Sequence, residues 1–447
     1  MTPAIFNNPL LGFFFGGLCL AMAHRGDVVW ALPGLFGVVV SLKMQPKVWQ
    51  AGFLMGAAES LCVFDVWMID LAAGFFVTLE FALYRSLTIG VLGFVLRRNP
   101  HASWTLGVGW AWCEAVHALL PMTLPNIVGE FFVETPVNFL ISSLGALGAS
   151  AWLVGISASL VYRRFEPMSL VLCALPLVIV FLRQEPVKFP GVEREGERVV
   201  LVRGGVSPSE YATKDVAAFY DALTRESDGV SLVIWPETAT GKVWNKDERW
   251  MQEVSQLGSQ QPLLLGASRF NDQGRLVNGA LYIDESGTQI LDKYRGVWPI
   301  EDAYAEGELS RDVRTKLGKA RVLICADVLD PFSIMTFASS PYEFLIVIAD
   351  GSRFVGSRLM EMHLRRVQAR ALEAGTPALF VEQSSLLAVV DRSGRVLKRD
   401  YQVFKPATLS TFLPVEESAP RFLYWLMVWA ALGGIAFFVD HLRRHQM

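Results

Sequence analysis

Three residues in separate short motifs supply a nucleophile, a base and a cation. Cys325 ends the strand-like run ARVLIC and is the only cysteine between Arg183 and Arg421. Glu237 follows the apolar run LVIWP, and Lys293 follows the run ILD. A thiol attacks once a neighbouring base has taken its proton, and a nearby ammonium group stabilises both the thiolate and the oxyanion formed from a carbonyl. The three residues together indicate nucleophilic chemistry at the thiol.

The base that would activate Cys325 has several candidates. The stretch 183–421 contains one histidine, His363, inside a helical pattern. Asp327 lies two residues after the thiol, and Glu237 directly follows a strand, where side chains of an α/β sheet often meet a ligand. Each residue also has a structural interpretation, because a strand-end cysteine is commonly a small core residue and carboxylates commonly cap turns. The combination favours catalysis.

The composition is typical of a membrane protein with a large soluble part. Of the 447 residues, 52% are hydrophobic and 12% are aromatic, and the mean hydropathy is +0.35. The net charge of −3 and the lack of a basic patch interleaved with aromatics give no indication of a nucleic-acid partner. The cysteine spacing matches no zinc motif, and nothing in the sequence requires a cofactor or metal.

Apolar segments that are candidates for membrane-spanning helices precede and follow the polar stretch. The first segment lacks a basic leader and a cleavage site, so we expect it to be retained as a helix. We predict seven spans before the polar stretch and one after it: 9–23, 28–42, 49–64, 71–96, 104–120, 137–161, 168–182 and 422–439.

Basic residues occur in alternate loops of this scheme. Basic loops stay in the cytoplasm, so the even-numbered loops and both termini are predicted to lie inside and residues 183–421 in the periplasm. An unpaired cysteine in an oxidising compartment is expected to be reactive or buried. The predicted domains are a transmembrane domain over 1–182 with seven helices, a periplasmic domain over 183–421, and a C-terminal helix with a cytoplasmic tail over 422–447.

Strand-like and helical patterns alternate between residues 183 and 421, which predicts an α/β layered fold. Strand-like runs such as 321–325 and 344–349 are separated by helical patterns at 209–223, 248–257 and 357–373. The segments LVIWPETATG, DKYRGVWPIEDAY and VLICADVLDPF, in this order, resemble the nitrilase (carbon–nitrogen hydrolase) superfamily.

With spans before and after the domain, the chain as a whole resembles bacterial apolipoprotein N-acyltransferases and the related conjugal-transfer proteins of rhizobial plasmids. The resemblance implies an α-β-β-α sandwich domain attached to a polytopic α-helical membrane domain of about eight spans. It also implies a location in the bacterial inner membrane.

The resemblance assigns roles to individual residues. It implies that Glu237 is the general base, Lys293 the oxyanion stabiliser and Cys325 the nucleophile, with Glu301 in support. Asp327, two residues after the thiol, is a further supporting candidate because of its position. The implied reaction is ping-pong: the thiolate takes an acyl chain from a phospholipid, and an amine of a lipid-anchored protein or another acceptor then attacks the thioester. Conjugation-apparatus proteins are further candidate partners.

Three segments depart from the superfamily's pattern. Ala326 and Asp327 follow the nucleophile in place of Tyr-Glu, the loop 349–354 lacks the usual tryptophan, and VWPIEDAYAEG replaces a loop that bears proline and glycine. These changes leave the acyl donor and acceptor open. Two alternatives remain: a membrane-bound amidase with water as acceptor, and a non-catalytic conjugation component that keeps the fold.

Four ionisable residues fall within the predicted spans, namely Glu80, Arg85, Glu114 and His117. Such residues are costly in hydrocarbon and are often functional. Glu114 resembles a membrane glutamate of the acyltransferases, and Glu80 and Arg85 are candidates to pair across a slightly distorted helix. The alternative is structural pairing between helices or snorkelling to the interface.

Overall fold

The computed structural model falls into two compact units, Met1–Lys188 with Pro420–Met447 and Phe189–Ala419. The residues that it describes are 9–24, 28–44, 49–63, 71–98, 103–119, 127–135, 137–162, 192–207, 210, 216–224, 229–239, 241–296, 301, 303–307, 310–334, 342–355 and 357–415.

The first unit is helical in its described residues. Its helices are α1 (Pro9–His24), α2 (Ala31–Met44), α3 (Trp49–Val63), α4 (Leu71–Arg98), α5 (Ser103–Leu119) and α6 (Phe139–Tyr162). Short 3-10 turns occur at Val28–Trp30 and Val128–Phe132.

Two of these helices, α4 and α6, are long and apolar enough to cross a membrane, over Gly74–Arg97 and Phe139–Tyr162. The helices α1, α2, α3 and α5 have between 14 and 17 residues, whereas a spanning helix needs about 20. The predicted spans 168–182 and 422–439 lie outside the described residues. The count of eight spans therefore stays a prediction.

The buried charges of the helical unit pair between helices. Arg85 on α4 donates two hydrogen bonds to Glu59 on α3, from Nε to Oε2 at 2.7 Å and from Nη2 to Oε1 at 2.8 Å, and both side chains are fully buried. His117 on α5 lies 3.2 Å from Glu80 on α4. These contacts agree with the alternative of structural pairing between helices. Glu80 and Arg85 are five residues apart on α4 and point about 140° away from each other.

Replacing Arg85 with methionine is expected to lower the free energy of unfolding of the helical unit by about 3–5 kcal/mol, because Glu59 would lose the cation that compensates its burial. The measurement is denaturant unfolding of the full chain in detergent. The control is the double variant Arg85→Met with Glu59→Leu, which removes both charges and is expected to recover most of the loss. A double variant as unstable as the single one would contradict this explanation.

The second unit consists of two six-stranded sheets and the helices that flank them. Its elements are β1 (Val192–Arg203), α7 (Val216–Thr224), β2 (Leu232–Ile234), α8 (Glu248–Gln260), β3 (Leu263–Phe270), β4 (Leu276–Asp284), β5 (Gly287–Asp292), β6 (Asp312–Thr315), β7 (Gly318–Ile324), β8 (Phe344–Ala349), α9 (Leu359–Ala374), β9 (Ala378–Glu382), β10 (Leu386–Val390), β11 (Val396–Tyr401) and β12 (Ala407–Val415).

The strands follow the order β12-β1-β2-β3-β4-β5 in one sheet and β11-β10-β9-β8-β7-β6 in the other. Alternate residues of β1 serve the two faces of its sheet, as strand geometry requires. Val199 and Leu201 belong to the core cluster that also holds Ile324 and Ile346 of the second sheet. Val200 and Val202 belong to another cluster, which includes residues of α7 and α8. The predicted α/β sandwich is confirmed.

Parallel pairing at the centre of each sheet determines where the chemistry-bearing residues emerge. Strand β2 runs parallel to β1 and β3, and β8 runs parallel to β7 and β9. Neighbouring parallel strands end at the same edge of a sheet. Glu237 follows β2, Cys325 directly follows β7 and Asp350 directly follows β8, so these residues lie at the carboxyl ends of their strands.

Candidate active site

Cys325 occupies a sharp turn at the end of β7. It is the first residue of the 3-10 turn Cys325–Leu329, and its backbone φ is 50°. This left-handed conformation is uncommon for a residue with a side chain and is found preferentially at functional sites. The turn ends the strand abruptly, so the thiol lies at the edge of the sheet and remains partly exposed.

The carboxylate of Glu237 is buried and held by three donors. Its Oε1 accepts hydrogen bonds from Nζ of Lys293 at 2.9 Å and from Nδ2 of Asn278 at 2.7 Å. Its Oε2 accepts from the backbone N–H of Asp350 at 2.8 Å. The backbone of Gly266 packs so closely that a Cβ there would lie 2.4 Å from the Cα of Glu237. Glu237 is therefore fixed in position.

Lys293 follows β5 and bridges two carboxylates. Its Nζ donates to Glu237 and, at 2.7 Å, to Oε1 of Glu301, which also accepts from Asn278 at 3.2 Å. Burial opposes the charge of Lys293, but the carboxylates of Glu237 and Glu301 together hold its pKa well above the ordinary value. The lysine is therefore an ammonium ion.

The resting thiol is protonated. Burial, and then the Glu237 carboxylate, raise the pKa of Cys325 well above its ordinary value, while Lys293 opposes the rise. A protonated thiol needs a base at the moment of attack, and Glu237 is the carboxylate whose charge acts most strongly on it.

Asp327 binds backbone groups on both sides of the site. Its side chain is fully buried and accepts hydrogen bonds from the N–H groups of Ile324 at 3.1 Å and Arg295 at 2.8 Å. Burial raises the pKa of Asp327 to about 6, and Lys293 and these donors oppose the rise. Asp327 thus ties the nucleophile turn to the segment after Lys293, which agrees with the capping interpretation of this residue.

His363 holds the backbone of the nucleophile. On α9, its Nε2 donates to the carbonyl oxygen of Cys325 at 3.2 Å. Burial, and next the charge of Arg366, lower the pKa of His363 to about 3. The ring is therefore neutral at physiological pH and contributes a positioning contact.

His363 is expected to make stability fall with acid. Its folded pKa of about 3 lies below the ordinary value of 6.5, so between these values only the unfolded state binds the proton. The free energy of unfolding is then expected to fall by up to about 1.4 kcal/mol per pH unit as the pH drops from 6.5 towards 3. His363→Gln keeps a donor for the Cys325 carbonyl, and it is expected to flatten this slope in unfolding experiments at pH 4–7. An unchanged slope would contradict the assignment.

Three further residues of the site were not predicted. Asn278 lies within the otherwise apolar run LVNGALYI of β4, and its buried amide contacts both Glu237 and Glu301. Asp350 follows β8 and Glu382 ends β9. Each of the three is a polar residue inside or directly after a buried strand, and this pattern in the sequence could have identified them.

The remaining predicted site residue, Glu114, belongs to the helical unit. It is buried, and its Oε1 accepts from Nε1 of Trp110 at 2.8 Å and from the N–H of Val128 at 2.9 Å. The bond from Val128 joins α5 to the turn Val128–Phe132, which is a structural contact between elements, whereas Trp110 lies on α5 itself. Within the described part of the chain, no group of three His, Cys, Asp or Glu side chains is arranged to hold a metal ion.

Comparisons with known proteins identify several that are similar to this chain. Residues 209–398 match the family described as carbon-nitrogen hydrolase. The apolipoprotein N-acyltransferase of Shewanella oneidensis is 23% identical over 384 residues, which cover 75% of this chain and 73% of that protein. The enzyme of the same name from Vibrio cholerae is 21% identical over 402 residues, covering 80% and 79%. An amidase from Nesterenkonia sp. is a solved structure with 19% identity, a TM-score of 0.42, and coverage of 52% and 94%.

Proposed function

The chain contains a carbon–nitrogen hydrolase domain at residues 209–398, and we propose that this domain makes the protein a membrane-bound N-acyltransferase. It moves an acyl group from a phospholipid through a thioester on Cys325 to an amine. The observation that carries the proposal is the convergence of the Glu237 carboxylate and the Lys293 ammonium group, 2.9 Å apart, on a protonated thiol. The similarity to apolipoprotein N-acyltransferases over most of both chains supports the choice of reaction.

In the first half-reaction, Glu237 takes the thiol proton and Sγ of Cys325 attacks an ester carbonyl of the phospholipid. The ammonium group of Lys293 stabilises the oxyanion that forms. When this intermediate collapses, the S–C bond is complete and the ester C–O bond breaks. The departing alkoxide of the lysophospholipid takes back the proton from Glu237, so the acyl-enzyme is left with an ionised base.

In the second half-reaction, the amine of the acceptor attacks the thioester carbonyl, and Glu237 takes a proton from the attacking nitrogen. Lys293 stabilises the second oxyanion in the same way. The C–N bond forms, the C–S bond breaks, and the Cys325 thiolate recovers its proton from Glu237. The acceptor proposed here is the N-terminal amine of a lipid-anchored protein.

The proposal includes the arrangement of the chain in the bacterial inner membrane. The membrane domain comprises residues 1–182 and the C-terminal segment 422–447, both termini are cytoplasmic, and the catalytic domain over 183–421 is periplasmic. The two apolar helices α4 and α6 support attachment to a membrane. A membrane location suits a donor and an acceptor that are both anchored in lipid. A role in conjugal transfer stays a prediction.

Mass spectrometry of the acyl-enzyme tests the proposal. The purified full chain is incubated with vesicles of a phospholipid that carries one defined acyl chain, without an acceptor, and its peptides are then analysed. We expect the mass of that chain on the Cys325 peptide, its removal by hydroxylamine, and its transfer to an added diacylglyceryl-cysteine peptide. The Cys325→Ala variant is the control.

Two other results of this experiment would each favour an alternative. Release of free fatty acid without acylation of the added peptide would identify a hydrolase that uses water as acceptor. The absence of an adduct, of fatty acid release and of transfer would support a non-catalytic component that keeps the fold.

A further inference from the structure

We propose that Glu382 is a positioning residue for the base Glu237 and acts through the peptide that joins Asp350 and Gly351. The inference rests on the proposed role of Glu237 as the base. Glu382 ends β9 and is fully buried.

The side chain of Glu382 accepts an unusual number of hydrogen bonds. Six donors converge on its two oxygens: the N–H groups of Gly351, Ser384, Ser385 and Leu386, and the hydroxyl groups of Ser384 and Ser385. An ionised carboxylate only accepts hydrogen bonds, so it suits a site that is lined with donors. An amide of the same size would direct its own N–H groups at some of these donors.

One of the six bonds connects Glu382 to the base. The N–H of Gly351 donates to Oε1 of Glu382 at 2.7 Å, and the neighbouring N–H of Asp350 donates to Oε2 of Glu237 at 2.8 Å. Two consecutive N–H groups of one turn are thus held by two buried carboxylates. Any shift of this turn away from Glu382 also moves the donor that orients Glu237.

The close approach of the turn to Glu382 depends on glycine. A Cβ at Gly351 would lie 2.9 Å from Oε1 of Glu382 and 2.2 Å from the sulfur of Met360. These distances are too short for a side chain unless Met360, Glu382 or the turn itself moves. Substitution at Gly351 therefore disturbs the same connection from its other end and leaves the Glu382 carboxylate in place.

The test compares Glu382→Gln with a matched control, Asp391→Asn. Asp391 is also a buried carboxylate at the end of a strand, and its Oδ1 accepts from the N–H groups of Ser393 and Arg395, both at 2.9 Å. Asp391 therefore accepts hydrogen bonds from backbone N–H groups as Glu382 does. Its bonds to Ser393 and Arg395 lie within the turn 391–395 and do not involve the turn after β8. The measured quantity is the second-order rate of Cys325 alkylation by iodoacetamide between pH 5 and 9, followed on the Cys325 peptide of the full chain.

We expect Glu382→Gln to lower this rate by about 10-fold or more, as for the loss of one hydrogen bond to a charged group. The shape of the rate–pH profile is also expected to change, because Glu237 would lose one of the donors that orient it. Gly351→Ala is expected to change the rate and the profile in the same directions, and this variant keeps the test valid if Glu382→Gln fails to fold. Asp391→Asn is expected to lower the unfolding temperature but to leave the rate and the profile unchanged.

Glu237→Gln is measured alongside to separate this inference from the proposed function. If Glu237→Gln reacts slowly while Glu382→Gln and Gly351→Ala keep the wild-type rate and profile, the positioning role is overturned and the proposed function stands. Equal losses of rate in Glu382→Gln and Asp391→Asn would also overturn it, since they would indicate a general effect on the fold. A wild-type rate in Glu237→Gln would overturn both.

Discussion

Replacing Glu237 with glutamine is expected to slow acylation of Cys325 by about 10²–10⁴-fold, the usual contribution of a positioned general base. The reason is the protonated state of the thiol, whose pKa is raised by burial and by Glu237 itself. Glutamine keeps the size of the side chain but cannot take the proton. The rate is measured in a single turnover with a phospholipid donor, from the mass of the Cys325 peptide.

The matched control for this variant is Glu248→Gln, which makes the same chemical change at an exposed position in the first turn of α8. We expect its acylation rate to equal that of the wild type. A rate for Glu237→Gln within about twofold of the wild type, far below the contribution of a general base, would show that another group accepts the thiol proton.

The sequence predicted the types and the strand-end positions of the main site residues for a physical reason. Glu237 and Cys325 each follow an apolar run, so each was expected at the end of a strand. Their strands, β2 and β7, lie in different sheets, so the approach of the two residues depends on how the sheets pack. The sequence and the resemblance predicted a lysine near the thiol, whereas the contact between Lys293 and Glu237 is a finding of the structure. That Glu237, Lys293 and Cys325 act together in catalysis stays a proposal, which the variants of Glu237 and Lys293 test.

Contacts that depend on sheet order could not be predicted from local patterns. Asn278 reaches Glu237 because β4 lies beside β3, and β3 lies beside β2. Strand β12 was not predicted at all, since its pairing partner is β1, at the other end of the domain. The role of Glu382 likewise appears only when the turns after β8 and β9 are seen to meet.

The partners of the ionisable residues in the predicted spans could also not be predicted from the sequence. Periodicity gives the direction in which Arg85 points relative to Glu80, and this direction already argues against their pairing. It does not tell which neighbouring helix the residue faces. The structure places Glu59 of α3 there, and His117 of α5 beside Glu80.

Replacing Lys293 with methionine is expected to slow acylation of Cys325 more than it slows alkylation of the same thiol. Acylation passes through an oxyanion, and loss of one oxyanion donor typically costs about 10²–10³-fold. Alkylation by iodoacetamide displaces iodide from a saturated carbon and forms no oxyanion, so it loses only the help that the ammonium group gives to the thiolate. Lys246→Met, at an exposed position, is the control and is expected to leave both rates unchanged.

Lys293 has a second effect, since it separates Glu237 and Glu301, which both accept from its Nζ. Without the cation, these two carboxylates would repel each other, which would disturb the position of Glu237. Some loss of alkylation is therefore expected, and it should be partly recovered in the double variant Lys293→Met with Glu301→Gln, which removes one of the two negative charges. Recovery of alkylation without recovery of acylation would assign the remaining deficit to the oxyanion. If Lys293→Met instead lowers the rates of acylation and alkylation by equal factors, the lysine acts only on the thiol and the base and does not stabilise the oxyanion.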